Sequence, residues 1–134
     1  MTDAGKLLPE KFDISQPEDG KVSVTPKPNT FEGKTPEFES VTLRVANVQE
    51  ITVQPVDKNG QPVGQPTSEK VKTPEDNSEQ TVVLVLNSPQ PSSGLVITFV
   101  KTTSDKPSSV TVVTIVACLS EDGKCAYLLW FSFD

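Results

Sequence analysis

The chain has 134 residues, enough for one domain that buries roughly two-thirds of the surface exposed by its unfolded form. Its net charge is −6 and Arg44 is its one arginine, which argues against a nucleic-acid-binding surface, since such surfaces concentrate Lys and Arg. Histidine is absent, so the commonest general base and the commonest transition-metal ligand are missing. The chain also lacks a Gly-x-Ser-x-Gly motif, and we expect no enzymatic activity.

The first 35 residues predict an extended, proline-bearing N-terminal arm, and the sandwich domain follows at residues 36–134. Prolines and charged residues are mixed along this arm, and its apolar residues are scattered. One short strand is predicted within it, at residues 21–25. The prolines are Pro9, Pro17, Pro26 and Pro28.

Seven more strands are predicted in the domain, which makes about eight in all. Val41, Leu43 and Val45 alternate with polar or small residues, the period-two pattern of a strand with one face in water. No window has apolar residues at helical spacing. We therefore predict an all-β fold, an antiparallel, jelly-roll-like β-sandwich. The eight strands are expected near residues 21–25, 40–46, 50–56, 67–72, 80–86, 94–100, 109–118 and 125–133.

A turn is predicted at Asp57-Lys58-Asn59-Gly60. Asn-Gly is a favoured two-residue hairpin turn, because both residues tolerate positive φ. The alternative is that Asp57 and Asn59 begin a calcium-binding loop, although the later acidic ligands of an EF-hand are missing. The plain hairpin is the better interpretation, and the sequence suggests no cofactor other than calcium.

Two predicted strands are apolar on both faces. Residues 82–86 are all Val or Leu, and Thr98 alone interrupts residues 95–100. A sandwich with its outer faces in water has polar residues there. We therefore expect a cover over the apolar set that includes Val83, Val85 and Val113. The N-terminal arm, a crossing loop and another protein are the three alternatives for this cover.

Cys118 and Cys125 flank a second predicted turn that contains Asp122-Gly123. We predict a disulfide between them, because the turn places both near the ends of adjoining hairpin strands. They face each other if Glu121 and Asp122 form the turn, whereas a bulge at Gly123 offsets them. A disulfide indicates an extracellular or cell-surface location. Two unpaired thiols in a cytosolic protein are the alternative.

The last predicted strand has aromatic residues on both faces. One face, which we predict to be core, contains Tyr127, Leu129, Phe131 and Phe133. Trp130 lies on the other face and is a candidate ligand-binding residue, since an indole there would stack on a sugar or a peptide. The alternative is that Trp130 fills a gap beneath the N-terminal arm, which is the commoner role of an aromatic residue near a chain end.

Three segments follow one another in an order that resembles the galactose-binding-like (discoidin-type) sandwich modules. They read VTLRVANVQEITV at residues 41–53, LVITFV at residues 95–100 and VTVVTIVAC at residues 110–118. The resemblance covers residues 38–118 and includes a late cysteine, Cys118. It implies an extracellular, non-catalytic adhesion or carbohydrate-binding module. The segment 53–63 is also similar to immunoglobulin-like modules of surface proteins.

The sequence therefore predicts a non-catalytic binding or adhesion module of a larger extracellular or cell-surface protein, with a protein or a glycan as its partner. The alternative is a structural or assembly sandwich that packs on a partner chain, as a homodimer, or on a neighbouring domain. We expect no nucleic-acid partner. We also expect no membrane insertion, because the apolar runs are too short to span a bilayer. Residues 1–8 show no signal peptide.

Overall fold

The computed structural model describes residues 6–7, 12–15, 20–27, 34–71, 79–86, 90–102, 107–121 and 124–131, with the backbone alone at 6–7, 120–121, 124–125 and 128–131. Within these ranges the chain forms ten β-strands and no helix. The same ranges accordingly contain no helix that could cross a membrane. The strands are β1 (Lys6–Leu7), β2 (Phe12–Ile14), β3 (Lys21–Pro26), β4 (Glu37–Ala46), β5 (Val48–Val56), β6 (Thr67–Lys70), β7 (Gln80–Val85), β8 (Gly94–Lys101), β9 (Ser109–Glu121) and β10 (Lys124–Phe131).

The strands form two five-stranded sheets that pack face to face. Sheet A has the order β1-β10-β9-β4-β7, and sheet B has the order β2-β3-β8-β5-β6. The described pairings are antiparallel, except that β1 runs parallel to β10. The inward residues of both sheets form one hydrophobic core. The predicted all-β sandwich is confirmed, and its eight predicted strands correspond to β3 through β10.

The chain passes repeatedly from one sheet to the other. Among the described strands from β3 to β9, β5 and β6 are the one consecutive pair within a sheet, and every other connection crosses to the opposite sheet. In a constant-type immunoglobulin sandwich three connections, A to B, D to E and F to G, stay within a sheet. The strand order therefore departs from the immunoglobulin arrangement and has the repeated crossing of a jelly roll.

A single residue, Asn47, connects β4 of sheet A to β5 of sheet B. Val41 and Leu43 of β4 are fully buried, as are Ile51 and Val53 of β5. These two strands belong to different sheets, yet Asn47 alone separates them. Asn47 has a φ of 57°, in the left-handed region, and this conformation turns the chain sharply from sheet A into sheet B.

The described residues before residue 36 belong to the sandwich, which corrects the prediction of a separate N-terminal arm. β2 pairs with β3 and β3 pairs with β8 in sheet B, while β1 pairs with β10 in sheet A. Phe12, Val22 and Val24 are all buried in the core. The Phe12 ring packs against Phe38, with the ring centroids 6.4 Å apart. The strand predicted at residues 21–25 is confirmed as Lys21–Pro26.

Candidate interaction surface

Strand β7 lies at one edge of sheet A and has apolar residues on both faces. Among the described strands it pairs with β4 alone. Leu84 is fully buried in the core, whereas Val83 is 53% exposed and Val85 is 66% exposed. The even-numbered residues of β7 therefore pack in the core, and Val83 and Val85 lie on the outer face.

Hydrogen bonds to β4 determine which backbone groups of β7 point outward. The Leu86 N–H donates to the Glu39 carbonyl oxygen at 2.9 Å. In an antiparallel ladder, the N–H and C=O groups of one residue both point to the same side of the strand. Those of the next residue both point to the other side. The even-numbered residues of β7 therefore face β4, and Thr81, Val83 and Val85 direct their N–H and C=O groups away from it. We call these three residues, with their outward backbone groups, the β7 edge.

The outer face of sheet A beside the β7 edge is almost without charge. Ser40, Thr42 and Arg44 of β4 are half-buried there and stand opposite the three residues of the β7 edge. Thr114 and Val116 of β9 continue this face. Arg44 is the one charged residue among these positions, although the whole chain has a net charge of −6.

The other described edges of the two sheets are either charged or short. β6 presents the exposed residues Glu69 and Lys70, and β2 has three residues, of which Asp13 is exposed. β1 has two residues. Charged side chains and short strands are the usual features that prevent sheets from associating edge to edge. β7 has six residues and no charge, so it lacks both features.

The described part of the N-terminal region lies elsewhere. β1 is at the opposite edge of sheet A, and β2 and β3 are in sheet B. Val113, the third residue of the apolar set, is half-buried on β9 at an irregularity in the pairing with β4. Cover by the N-terminal arm, one of the three predicted alternatives, is therefore not found among the described residues.

Cys118 and Cys125 lie on adjoining strands but not opposite each other. The register pairs Cys118 with Tyr127 and Glu121 with Lys124, so Cys125 stands two positions from the site opposite Cys118. This corrects the facing arrangement, which required Glu121 to be a turn residue. Cys118 is buried, and the described residues include no free cysteine. The side chain of Cys125 lies outside the described residues, and the Cys118–Cys125 bridge stays a prediction.

Tyr127 of β10 is not where the sequence predicts it. Tyr127 was expected in the core and is instead 67% exposed. Trp130 was expected on the outer face, and its backbone pairs with Ile115 of β9. The side chain of Trp130 lies outside the described residues, so its proposed role in ligand binding stays a prediction. Tyr127 is an exposed aromatic residue that the sequence pattern did not reveal.

The segment Asp57–Gly60 is a tight hairpin turn that the carboxylate of Asp57 stabilises. The Gly60 N–H donates to the Asp57 carbonyl oxygen at 2.9 Å, and Gly60 has a φ of 80°. The Asp57 carboxylate accepts hydrogen bonds from the N–H groups of Asn59 at 2.8 Å and Gln61 at 2.9 Å. Lys58 and Asn59 are thus the central residues of the turn, with Gly60 following them, rather than the predicted central pair Asn59-Gly60.

These hydrogen bonds give Asp57 and Asn59 a structural role that needs no metal ion. Within the described ranges, no three or more Cys, Asp or Glu residues are grouped so that they could hold a metal ion. Calcium binding by Asp57 and Asn59 stays a prediction.

No family model, no curated protein and no solved structure matches this chain. The resemblance to galactose-binding-like modules therefore stays a prediction. The class that the structure itself defines is a jelly-roll-like β-sandwich with one long, uncharged edge strand.

Proposed function

We propose that this chain is a non-catalytic interaction module, a β-sandwich that binds another protein through the β7 edge. The observation that carries the proposal is the exposure of Val83 and Val85, at 53% and 66%, on an uncharged edge strand. A partner strand laid along β7 would remove these side chains from water and pair with the outward backbone groups. This is the β-augmentation mode of protein recognition, in which the main chain supplies affinity and alternate side chains supply specificity.

The proposal includes an extracellular or cell-surface location, within a larger protein. In that setting a Cys118–Cys125 disulfide would clamp the β9–β10 hairpin at the opposite side of β4 from β7. The absence of histidine from the sequence supports a module that binds without catalysis.

Selection from a phage-displayed dodecapeptide library tests the proposal. The full chain is the target, and the variants V83E and V100E are used to classify the selected peptides. Val100 is a matched control because it is also a half-exposed valine, 47% exposed, but lies on β8 inside sheet B. We expect peptides with alternating apolar residues that bind the wild-type chain and V100E but not V83E. Recovery of no peptide whose binding depends on Val83 would overturn the proposal.

Glycan binding is a second candidate function, favoured by one observation. Tyr127 is 67% exposed on the β9–β10 hairpin, and an exposed aromatic ring is a common stacking surface for a sugar. Trp130 is the other proposed stacking residue. A glycan array probed with the wild-type chain, Y127A and W130A tests this candidate. Binding to a defined glycan that Y127A or W130A abolishes supports it, and an array without a specific signal overturns it.

A further inference from the structure

We infer that the partner of the β7 edge is a second copy of this chain, bound by antiparallel pairing of β7 with β7 across a two-fold axis. The inference rests on the proposed function and names the partner that this function requires. It would join the two copies of sheet A into one continuous ten-stranded sheet.

The backbone of β7 suits pairing around Val83. Val83 is the midpoint of the segment from Thr81 to Val85, and all three odd-numbered residues of this segment direct their backbone groups outward. With Val83 on the two-fold axis, Val83 faces its own copy, and Thr81 faces the position of Val85 in the other strand. Each facing pair exchanges two hydrogen bonds in an antiparallel ladder, so the joint would contain about six.

The side chains match in the same register. On the outer face the two copies of Val83 meet each other, and each Thr81 meets a Val85. On the core side each Val82 meets a Leu84. All of these pairs consist of β-branched or apolar side chains, which are favourable cross-strand neighbours, and none of them brings two like charges together.

Charge favours this edge for contact between two copies. The chain has a net charge of −6, so two copies repel each other wherever acidic residues are exposed. The β7 edge has no charge, and the charged residues that flank it are Arg44, opposite Thr81, and the exposed Glu79, just before the strand. Across the two-fold axis the two Arg44 backbones would lie four residues, about 13 Å, apart along the strands and three strand spacings, about 14 Å, apart across them, which is about 20 Å in all. That separation exceeds the screening length of about 8 Å at physiological salt, so their repulsion is weak.

The proposed interface between the two β7 strands is small. A strand of six residues is about 20 Å long, and pairing it with a copy buries less than the roughly 1,600 Å² of a standard interface. We therefore expect a weak, reversible dimer.

Sedimentation velocity of the full chain, from low micromolar to several hundred micromolar, tests the inference. We expect a concentration-dependent dimer whose dissociation constant rises at least tenfold in V83K, because a lysine on an edge strand opposes pairing. V85K is a second variant with the same expectation, and circular dichroism checks that both remain folded. V100K, the same substitution on an interior strand, should leave the dimer intact.

Amide hydrogen exchange identifies the strand that forms the joint. We expect the amides of Thr81, Val83 and Val85 to exchange quickly in dilute protein and to become protected as the concentration rises. The amides of Val82 and Leu84 face β4 and should be protected at every concentration. This alternation distinguishes edge pairing from contact through a flat face.

Two results would overturn the inference by themselves: a dimer that V83K and V85K leave intact, or odd-numbered amides that gain no protection at high concentration. A chain that stays monomeric while selected peptides still bind in a Val83-dependent manner would also overturn it, and the proposed function would stand. A monomer for which no Val83-dependent peptide is found would overturn both.

Discussion

The Asn47 side chain donates a hydrogen bond from Nδ2 to the carbonyl oxygen of Pro107 at 2.9 Å, linking positions 60 residues apart. The Asn47 carbonyl oxygen also accepts a hydrogen bond from the Thr102 N–H at 3.1 Å. The corner between β4 and β5 is therefore fastened to the chain at the end of β8 and at the approach to β9. Asn47 thus links two of the passages between the two sheets, the β4–β5 corner and the β8–β9 connection.

Substitution of Asn47 should be among the most destabilising changes outside the apolar core. In N47A, a left-handed backbone without Asn or Gly costs about 1–2 kcal/mol, and loss of the part-buried hydrogen bond to the Pro107 carbonyl oxygen costs about 0.5–1.5 kcal/mol. N47G avoids the first of these two effects and should lose less stability. Urea denaturation measures both, with N59A, at an exposed turn asparagine, as the control. Equal stability of N47A and N59A would contradict the role assigned to this corner.

Gly20 and Gly60 have similar backbone conformations, but another part of the backbone lies close to Gly20 alone. Their φ values are 74° and 80°, so alanine at either position has a similar left-handed strain of about 1–2 kcal/mol. A Cβ on Gly20 would lie 2.9 Å from the Phe99 carbonyl oxygen, whereas a Cβ on Gly60 would meet no atom within 4 Å. The Phe99 N–H also donates to the Gly20 carbonyl oxygen at 2.9 Å, which fixes the two backbones together.

We therefore expect G20A to lower the free energy of unfolding by clearly more than G60A, by about 1–3 kcal/mol in addition to the shared strain. Thermal and urea denaturation of both variants measure the difference. Similar losses in the two variants would mean that the β3 end moves away from Phe99 at little cost.

The strands were predictable because the evidence for them is local. β4 and β5 alternate apolar and polar residues, and β9 is a long run of β-branched residues, so each was recognisable without knowledge of its neighbours. β2 was missed because a strand of three residues with one large apolar side chain, Phe12, has too short a pattern to detect. Its place in the core depends on pairing with β3, and the sequence does not contain that information locally.

The face of a strand was harder to predict than its existence. β10 has aromatic residues in both parities, so its hydrophobic pattern could not show which set faces the core. The register of β10 with β9, which includes the pair Glu121 and Lys124, depends on contacts between two strands and cannot be read from β10 alone. Tyr127 is exposed, although its parity predicted a place in the core. The exposure of Val83 could not be predicted either. It depends on the edge position of β7, which follows from the pairing of β7 with β4 across the sheet.

Asp57 should stabilise the β5 turn by its hydrogen bonds and not through a bound ion. D57A removes the acceptor used by the Asn59 and Gln61 N–H groups, and we expect a loss of about 1–2 kcal/mol. D57N keeps an amide oxygen in the same place and should lose less. The calcium alternative is tested by melting the wild-type chain with millimolar calcium and with EDTA. A higher melting temperature in calcium that disappears in D57N would show that Asp57 binds the ion.

Cys118 and Cys125 are the two cysteines of the chain. We expect an intramolecular bridge to Cys125 in protein made in an oxidising compartment. Alkylation without reductant should then leave the mass unchanged. Alkylation after reduction should add the mass of two alkyl groups. Because the bridge closes a short loop, C125S should lower the free energy of unfolding by about 2–3 kcal/mol. Two alkyl groups without reduction would contradict the bridge, and a dimer on non-reducing gels that reductant dissolves would show that Cys118 pairs with another chain instead.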